Sequence, residues 1–247
     1  MKQSKHARLK PSTRQGGKPR NGVDLPLAVK LGVGIVILGL LGVFFGRVVI
    51  NERALSADLE FNPLPLAAEE VSDDPIPEEE IINHCENASP QELCRISLPA
   101  IGIPSMKLSS LGTTQRNGRT QIDVPNSIYV AGWFNGSVRP GERGVTFISA
   151  HSSAARHAPF NDLHRLRPGE EIIVERGDGS NFHYQVAAIS RLTIADANVW
   201  IRSNLGARAN ANAGNRNILY LMTCIGAWNL NENTMNERLL VRAYLVE

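Results

Sequence analysis

Short apolar runs separated by turn residues fill the sequence from about residue 95 onward and constrain its fold more than any other feature. The runs cover residues 95–103, 120–124, 144–150, 171–176, 181–194, 216–225 and 237–246. Gly, Pro, Asn and Asp stand between them, which is typical of short β-strands joined by turns. Seven or eight strands in this span predict a mainly β domain whose sheet closes, or nearly closes, into a barrel.

Helical signals are few in this part of the chain. A turn is predicted near residues 161–166, after Pro159, and a short helix from Asp196, as its N-cap, to Gly206. With 247 residues the chain has room for one domain of ordinary size. We therefore assign 95–247 to a single mainly β domain with short helices.

The first 50 residues predict a membrane anchor. The run from Leu31 to Gly46 has no charged residue, and as a helix it covers about 24 Å of a ~30 Å hydrocarbon core. Lys30 and Arg47 can snorkel, so the usable segment extends over 25–50. Residues 1–50 carry nine basic side chains against the single acid Asp24, a net charge of +8. Positive flanks stay in the cytoplasm, so 1–24 is predicted to be a cytoplasmic tail and the carboxyl-terminal part extracellular.

Two other interpretations of the apolar run remain open. A cleaved signal peptide has the same basic and apolar pattern, and residues 54–57 (ALSA) supply small side chains, although this site lies beyond Arg47, Glu52 and Arg53. A buried core helix is the other alternative, but nothing downstream is patterned to cover a helix that is apolar all round. We expect an uncleaved single-pass anchor.

Residues 51–94 are predicted to form an acidic, proline-rich extracellular stalk. Its first part, 51–80, has ten acids against Arg53 and four prolines, a composition that resists helix and sheet and extends by self-repulsion. A pairing surface for a basic partner is the alternative. The acidic stalk and the basic amino-terminal segment cancel, so the pI near 8.5 does not indicate nucleic-acid binding.

Cys224 is the first candidate for chemistry. It is predicted at the end of an apolar strand, 217–225, and precedes Gly226 and a polar loop, 229–236. A thiol at a strand end facing a loop is well placed to act as a nucleophile, but an inert core cysteine fits the same alternation. A nucleophile would also need a base or a positive neighbour, because a free thiol is mostly protonated at neutral pH.

His151 and Arg238 are the candidates for these neighbours. His151 directly follows the predicted strand 144–150 and opens a serine-rich turn, whereas His157, His164 and His183 have no comparable setting. Arg238 begins the last predicted strand, where a guanidinium can hold the negative charge that develops on a reacting carbonyl. A structural histidine and a solvated arginine are the alternatives.

These residues, in the order His, Cys, Arg, resemble the sortase family of bacterial cell-surface transpeptidases. The resemblance runs from about Ser97 to Val246. It is carried by LPAIGI at 98–103, AGWF at 131–134, PGERG at 140–144, PF at 159–160, Leu163 and Leu166, PGE at 168–170, LMTC at 221–224 and RLLV at 238–241. The Gly-Trp-aromatic and Pro-Gly-Glu segments are most similar to class F sortases.

Three departures from the family pattern bear on the site. Tyr220 stands where the family usually has Thr, and Ala150 where it usually has Gly. The predicted loop between Cys224 and Arg238 is long, which makes Arg242 a fallback for the arginine role. The departures leave the three catalytic residue types in place and affect subclass and pocket shape.

The resemblance implies a sortase-like closed barrel and a membrane-anchored cysteine transpeptidase. Cys224 would attack a carboxyl-terminal sorting motif of a secreted protein and form a thioacyl enzyme, which an amine of the cell envelope or of a pilin would resolve. His151 would exchange protons, Arg238 would steady the oxyanion, and Ala150 and Thr223 would contact substrate. The segment 189–217 resembles the family loop that shapes the substrate groove. No cofactor, metal or nucleic acid is implied.

Two alternative functions remain open at this point. The same residues would make a hydrolase if water resolved the thioacyl enzyme. A membrane-tethered binding module without catalysis is supported only by the departures at Ala150 and Tyr220.

Cys85 and Cys94 are expected to pair with each other. They flank residues 86–93 just before the first barrel strand, and an extracellular location is oxidising. Two free thiols in a linker are the alternative. Pairing would leave Cys224 as the only free thiol of the three cysteines.

Overall fold

A computed structural model describes residues 59, 74–116, 118–153, 157–208, 213–231 and 233–246. The predicted cytoplasmic tail, the membrane segment 25–50 and most of the stalk lie outside these residues. Among the helices that are described, none is both long and apolar enough to cross a bilayer.

The described part of the chain contains ten strands and two α-helices. The helices are α1 (Glu78–Asn87) and α2 (Ile194–Asn204). The strands are β1 (Leu93–Leu98), β2 (Ile103–Leu111), β3 (Thr113–Arg116), β4 (Arg119–Ile122), β5 (Val130–Phe134), β6 (Gly144–Ala150), β7 (Glu171–Arg176), β8 (Asn181–Thr193), β9 (Asn217–Asn229) and β10 (Thr234–Leu245). Short 3₁₀ helices occupy Pro99–Ile101, Pro159–Arg165 and Gly206–Arg208.

Eight of the strands close into a barrel, which confirms the predicted fold class. Their order around the barrel is β1-β2-β5-β6-β9-β10-β8-β7, and β3 and β4 form a separate hairpin. The β2–β5 and β6–β9 pairs are parallel, and the other described pairs are antiparallel. Closure removes the free edges that would otherwise template aggregation.

Alternation along the strands divides the core into two clusters. The larger cluster draws side chains from all eight barrel strands and therefore fills the barrel interior; Ile148, Leu221 and Val241 are examples. The smaller one lies on the outer face of β6, β9 and β10, where α2 covers these strands, and it also includes Leu59.

Helix α2 is held on this outer face by aromatic contacts. Trp200 packs with its ring 4.6 Å from that of Tyr220 and 5.9 Å from that of Phe147. Such pairs contribute about 0.5–1.5 kcal/mol each beyond their area burial. The helix begins two residues before the predicted cap Asp196, because the Thr193 hydroxyl accepts a hydrogen bond from the Asp196 backbone N–H at 3.1 Å and is the true N-cap.

The structure differs from the sequence-based expectation at further places. The predicted strand 95–103 breaks at the 3₁₀ helix Pro99–Ile101, and β2, β3 and β5 were not predicted. The predicted strand 120–124 corresponds to β4, which belongs to the separate hairpin and not to the barrel. Helix α1 forms at the end of the predicted stalk, where Ile81 is buried and Glu80 lies 3.3 Å from Lys107 of β2. Cys85 of α1 is joined to Cys94 of β1 in a disulfide, which ties this helix to the barrel.

Candidate active site

Cys224 and Arg238 lie opposite each other on the antiparallel pair β9–β10. Residues that face each other across such a pair have their Cβ atoms about 4.5–5.5 Å apart, on the same side of the sheet. Met222 and Leu240, two residues away on each strand, belong to the outer cluster, so the thiol and the guanidinium share the outer face. Both are buried: the exposed fractions are 9% for Cys224 and 0% for Arg238.

His151 reaches the same face from the neighbouring strand. The parallel register pairs Ser149 of β6 with Met222 of β9. Extending this register by two residues, one beyond the end of β6, would bring His151 level with Cys224 on the same side, and the Ser152 hydroxyl, 2.6 Å from the Cys224 carbonyl oxygen, supports the extension. The imidazole is also buried, with 8% exposure. The cysteine, the histidine and the arginine, which are up to 87 positions apart in the sequence, thus lie on the same outer face of neighbouring strands.

A backbone contact fixes the orientation of the His151 ring. Its Nε2 lies 2.8 Å from the carbonyl oxygen of Pro125. A carbonyl oxygen only accepts, so Nε2 carries the proton and donates it, and Nδ1 of the neutral ring keeps its lone pair. Burial lowers the pKa of His151 below 6.5, and the bond to Pro125 opposes this shift. The histidine is therefore mostly neutral at neutral pH.

Burial has the opposite effect on the thiol. It raises the pKa of Cys224 above 9.0, while the charge of Arg238 and a hydrogen bond with Thr234 oppose the shift. With the histidine pKa lowered and the cysteine pKa raised, the thiol and the imidazole are both neutral at neutral pH.

The Arg238 guanidinium folds back along its own strand. Its Nη1 donates to the carbonyl oxygens of Met235 at 2.7 Å and Glu237 at 2.9 Å, and its Nη2 donates to the Thr234 hydroxyl at 3.3 Å. Burial lowers the pKa of Arg238 and the nearby thiol opposes this, but a guanidinium keeps its charge in proteins. The result is a fixed cation next to the thiol.

Arg242, the fallback for the arginine role, lies elsewhere. It pairs with Tyr220 rather than with Cys224, four residues or about 13 Å further along the strand. Its guanidinium stands over the Tyr244 ring at 5.6 Å. The register therefore favours Arg238.

The loop that separates Cys224 from Arg238 is shorter than predicted. Both strands extend past the predicted bounds, so only residues 230–233 lie between β9 and β10, and Cys224 is not at a strand end. A bulge interrupts the ladder instead, between the pairs Glu237 with Ile225 and Met235 with Trp228. Gly226 occupies this bulge with φ of +90°, and a Cβ there would collide with the Asn236 side chain.

Thr234, Ser152 and Pro125 also contact the site and were not predicted. The Ser152 hydroxyl donates to the Cys224 backbone carbonyl at 2.6 Å and lies 3.4 Å from the Met235 sulfur. The sequence placed Ser152 in the serine-rich turn, but it gave no sign that this hydroxyl bonds the Cys224 carbonyl. Thr234 was assigned to a loop, which concealed that it shares a strand with Arg238.

Ala150 and Thr223, the predicted substrate contacts, lie in the barrel interior. Their exposed fractions are 4% and 0%, and the Thr223 hydroxyl donates to the Ala150 carbonyl at 2.9 Å. Alternation places Thr223 on the opposite face of β9 from Cys224. Substrate contact by these two residues stays a prediction; in the structure they join the strand that leads to His151 to the strand of Cys224.

The other histidines that were considered have surface partners. His157 lies 2.8 Å from Asp162, His164 lies 2.8 Å from the Asn161 carbonyl oxygen, and His183 lies 2.7 Å from Glu171. One group in the described ranges, Cys85, Cys94 and Glu175, has its donor atoms close enough for a metal ion. Its two sulfurs are joined in the disulfide and are not the thiolates that metals bind.

A barrel with a cysteine, a histidine and an arginine converging on one outer face has the parts of a thiol-dependent acyl-transfer enzyme. The chain belongs to the sortase family, because the model of the sortase domain matches residues 99–246, more than half of its length. No curated protein matches it. The predicted family is confirmed, and the likeness to class F stays a prediction.

Solved structures similar to this chain include three sortases. Sortase A from Corynebacterium diphtheriae, a lid mutant, is 22% identical, with a TM-score of 0.44 over 66% of this chain and 74% of that chain. Sortase C-1 from Actinomyces oris is 19% identical, with a TM-score of 0.45 over 81% and 99%. Sortase C from Streptococcus pneumoniae is 19% identical, with a TM-score of 0.45 over 79% and 85%. Similarities of this size say nothing about the substrate of this chain.

Proposed function

We propose that the chain is a membrane-anchored cysteine transpeptidase that cleaves a carboxyl-terminal sorting motif and transfers the acyl group to an amine. Membership of the sortase family supports the transpeptidase activity. The observation that carries the assignment of roles is the convergence of Cys224, His151 and Arg238 on one face of the barrel.

The first half of the reaction forms a thioester. The Cys224 thiol gives its proton to His151 Nδ1, and the thiolate attacks the peptide carbonyl carbon, so that a C–S bond forms and the oxygen becomes an oxyanion. Arg238 and backbone N–H groups stabilise that charge. The C–N bond then breaks, and the leaving amine takes the proton from the imidazolium.

The second half reverses these roles. An incoming amine gives a proton to His151 and attacks the thioester carbonyl, and Cys224 leaves as thiolate and recovers the proton. The neutral resting pair suits this cycle, since the histidine accepts and returns one proton in each half. No energy-rich cofactor is needed, because one amide bond is exchanged for another.

The substrate would reach Cys224 on the outer face of β9 and β10. Met222 and Leu240, the next residues along this face, are buried together with Ile201 of α2 and belong to the outer cluster. We propose that the site takes the sorting motif of a secreted protein, and that the acceptor is an amine of the cell envelope or of a pilin.

Product analysis tests this function and separates it from hydrolysis. The full chain in detergent would be incubated with candidate sorting peptides, with and without an added amine, and the products identified by mass spectrometry. A transpeptidase gives the amide adduct when amine is present. A free carboxylate at the same yield in both reactions would identify a hydrolase.

An inactive binding module finds no support at the two departures that suggested it. Ala150 lies in the barrel interior, and Tyr220 packs edge-on against Trp200. An unreactive Cys224 toward alkylating agents in the folded chain would favour the module.

We also propose that residues 25–50 anchor the chain, with 1–24 in the cytoplasm and the barrel outside the cell. The +8 charge of the first 50 residues supports this orientation. Protease added to intact cells is expected to remove the barrel and leave the first 25 residues protected. A barrel that survives in intact cells and is digested after lysis would refute the orientation.

A further inference from the structure

Thr234 lies between the thiol and the guanidinium. It is the first residue of β10, and its side chain is only 3% exposed. Its Oγ1 is 3.3 Å from Nη2 of Arg238 and 3.9 Å from Sγ of Cys224, the outer range for a hydrogen bond to sulfur. One buried hydroxyl therefore contacts both groups to which we assign the nucleophile and cation roles.

The number of protons fixes the direction of the first contact. A guanidinium only donates, so Thr234 Oγ1 accepts from Arg238. In the second contact either atom can donate while Cys224 is a thiol, but a thiolate can only accept. With the thiolate, the arrangement is a chain in which Arg238 Nη2–H donates to Thr234 and Thr234 O–H donates to Cys224. Successive hydrogen bonds of this kind polarise one another in a buried site.

The backbone holds the other side of the guanidinium. Nη1 is bound by the carbonyl oxygens of Met235 and Glu237, which keep the side chain folded along β10. Thr234 instead holds Nη2, so its hydroxyl sets how that edge of the guanidinium faces the thiol. The titratable groups that face the thiol are Arg238 on β10 and His151 after β6, whereas the Glu237 carboxylate pairs with Arg191 at 2.8 Å.

We propose that Thr234 is a positioning residue whose hydroxyl links Arg238 to Cys224, directing the guanidinium toward the sulfur and donating a hydrogen bond that stabilises the thiolate. The proposal rests on the proposed function, because it assigns a partner to the nucleophile of that reaction. It concerns the hydroxyl and not the bulk of the side chain. Serine, which keeps the hydroxyl, should therefore preserve the reactivity of Cys224, and valine, which keeps only the shape of threonine, should lower it.

The test is the rate at which iodoacetamide alkylates Cys224 as a function of pH. The unreduced full chain in detergent would be used, since the disulfide leaves Cys224 as the one free cysteine. A hydrogen bond to a charged group changes an equilibrium by about tenfold or more. In Thr234→Val we expect the alkylation profile to move about one unit to higher pH and the rate at pH 7 to fall about tenfold. Thr234→Ser should stay within about twofold of the natural chain.

Thr146→Val is the matched control. Thr146 is a buried threonine of β6 whose hydroxyl bonds Tyr184, so this variant loses a hydrogen bond but should keep the alkylation profile. Thr234→Ala is a second variant without the hydroxyl. The alkylation profile is compared for the one of these two variants that keeps the circular dichroism spectrum of the barrel. An unmoved profile in that variant would overturn the proposal. Thr234→Ser moving as far as Thr234→Val would do the same, because packing would then be the cause.

Alkylation needs no sorting peptide, so this result is independent of the proposed function. A chain that forms no product with any peptide and amine would defeat the function and leave the alkylation comparison valid. For the reaction itself, Thr234→Val should lower kcat and leave KM within about twofold, since the hydroxyl contacts the reacting sulfur.

Discussion

Replacing Arg238 with Lys keeps the positive charge and removes the planar fork. The guanidinium makes three hydrogen bonds, at 2.7, 2.9 and 3.3 Å, from two different nitrogens. An ammonium is a single point on a shorter stem and cannot reach the carbonyls on one side and Thr234 on the other. Losing one donor at a developing oxyanion typically lowers kcat about 10²–10³-fold, and we expect Arg238→Lys to fall in this range.

The same change should also destabilise the fold. Arg238 has no exposed surface, and each lost hydrogen bond to a charged group costs about 1.5–3 kcal/mol. The lysine ammonium can remake some of these hydrogen bonds. We therefore expect the free energy of unfolding to fall by about 2 kcal/mol, or Tm by about 4–8 °C for a chain of this size. Transpeptidation kinetics and thermal denaturation on the same preparation separate the two effects.

Arg242→Lys is the matched control for this prediction. Arg242 lies on the same strand and the same face but opposite Tyr220 and beside Tyr244. Its replacement should change kcat less than about threefold. If Arg242→Lys lowered kcat by 10² or more and Arg238→Lys were silent, the assignment of the arginine role from the β9–β10 register would be refuted.

Three further predictions concern the histidine, the thiol and the disulfide. His151→Ala should lower turnover about 10²–10⁴-fold, as expected for lost acid–base catalysis, and unchanged turnover would transfer the role to another base such as His157. Burial raises the pKa of Cys224 above 9.0, so its contribution to stability is full below pH 9 and is lost as pH rises through the folded value. Urea denaturation from pH 7 to 10 should then show a steeper alkaline fall in the free energy of unfolding for the natural chain than for Cys224→Ala, and identical slopes would contradict this shift. A thiol count on denatured, unreduced protein should give one free thiol, whereas three would show that Cys85 and Cys94 do not pair; the ten-residue loop they close stabilises by up to about 2.7 kcal/mol in the chain-entropy model.

The barrel was predictable because most of its strands carry local signals. The alternating or apolar runs that became β6, β7, β8, β9 and β10 are bounded by Gly, Pro, Asn and Asp. Strand β2 was missed because Pro104 and three serines weaken its alternation, and β5 because it has five residues with a glycine at its centre. These two become strands through pairing with each other and with β1 and β6, which local sequence does not display.

The three central site residues were predictable in kind but not in arrangement. Cys224, His151 and Arg238 were found from residue chemistry and family resemblance, and the barrel register then brought them together. Thr234 was missed because the polar run 229–236 is typical of a loop. In the structure the bulge at Gly226 lets β9 continue to Asn229 and β10 begin at Thr234. The position of Thr234 beside Cys224 depends on one extra residue in the β9–β10 pairing, and such a bulge is set by tertiary structure.

The placement of Ala150 and Thr223 could not be predicted from the sequence. Both were expected from the family resemblance to contact substrate, and both are adjacent in sequence to residues of the site. In a strand, neighbours point to opposite faces, so Thr223 faces the barrel interior because Cys224 faces outward.

The most direct test of the account is the mass of Cys224 after the full chain meets a cleavable sorting peptide without amine. The account predicts a peptide joined to Cys224 through a thioester, sensitive to hydroxylamine and lost in Cys224→Ala, which should keep the barrel's circular dichroism spectrum. Cleavage of the peptide with no adduct on Cys224, or undiminished cleavage by Cys224→Ala, would contradict the assignment of Cys224 as the nucleophile.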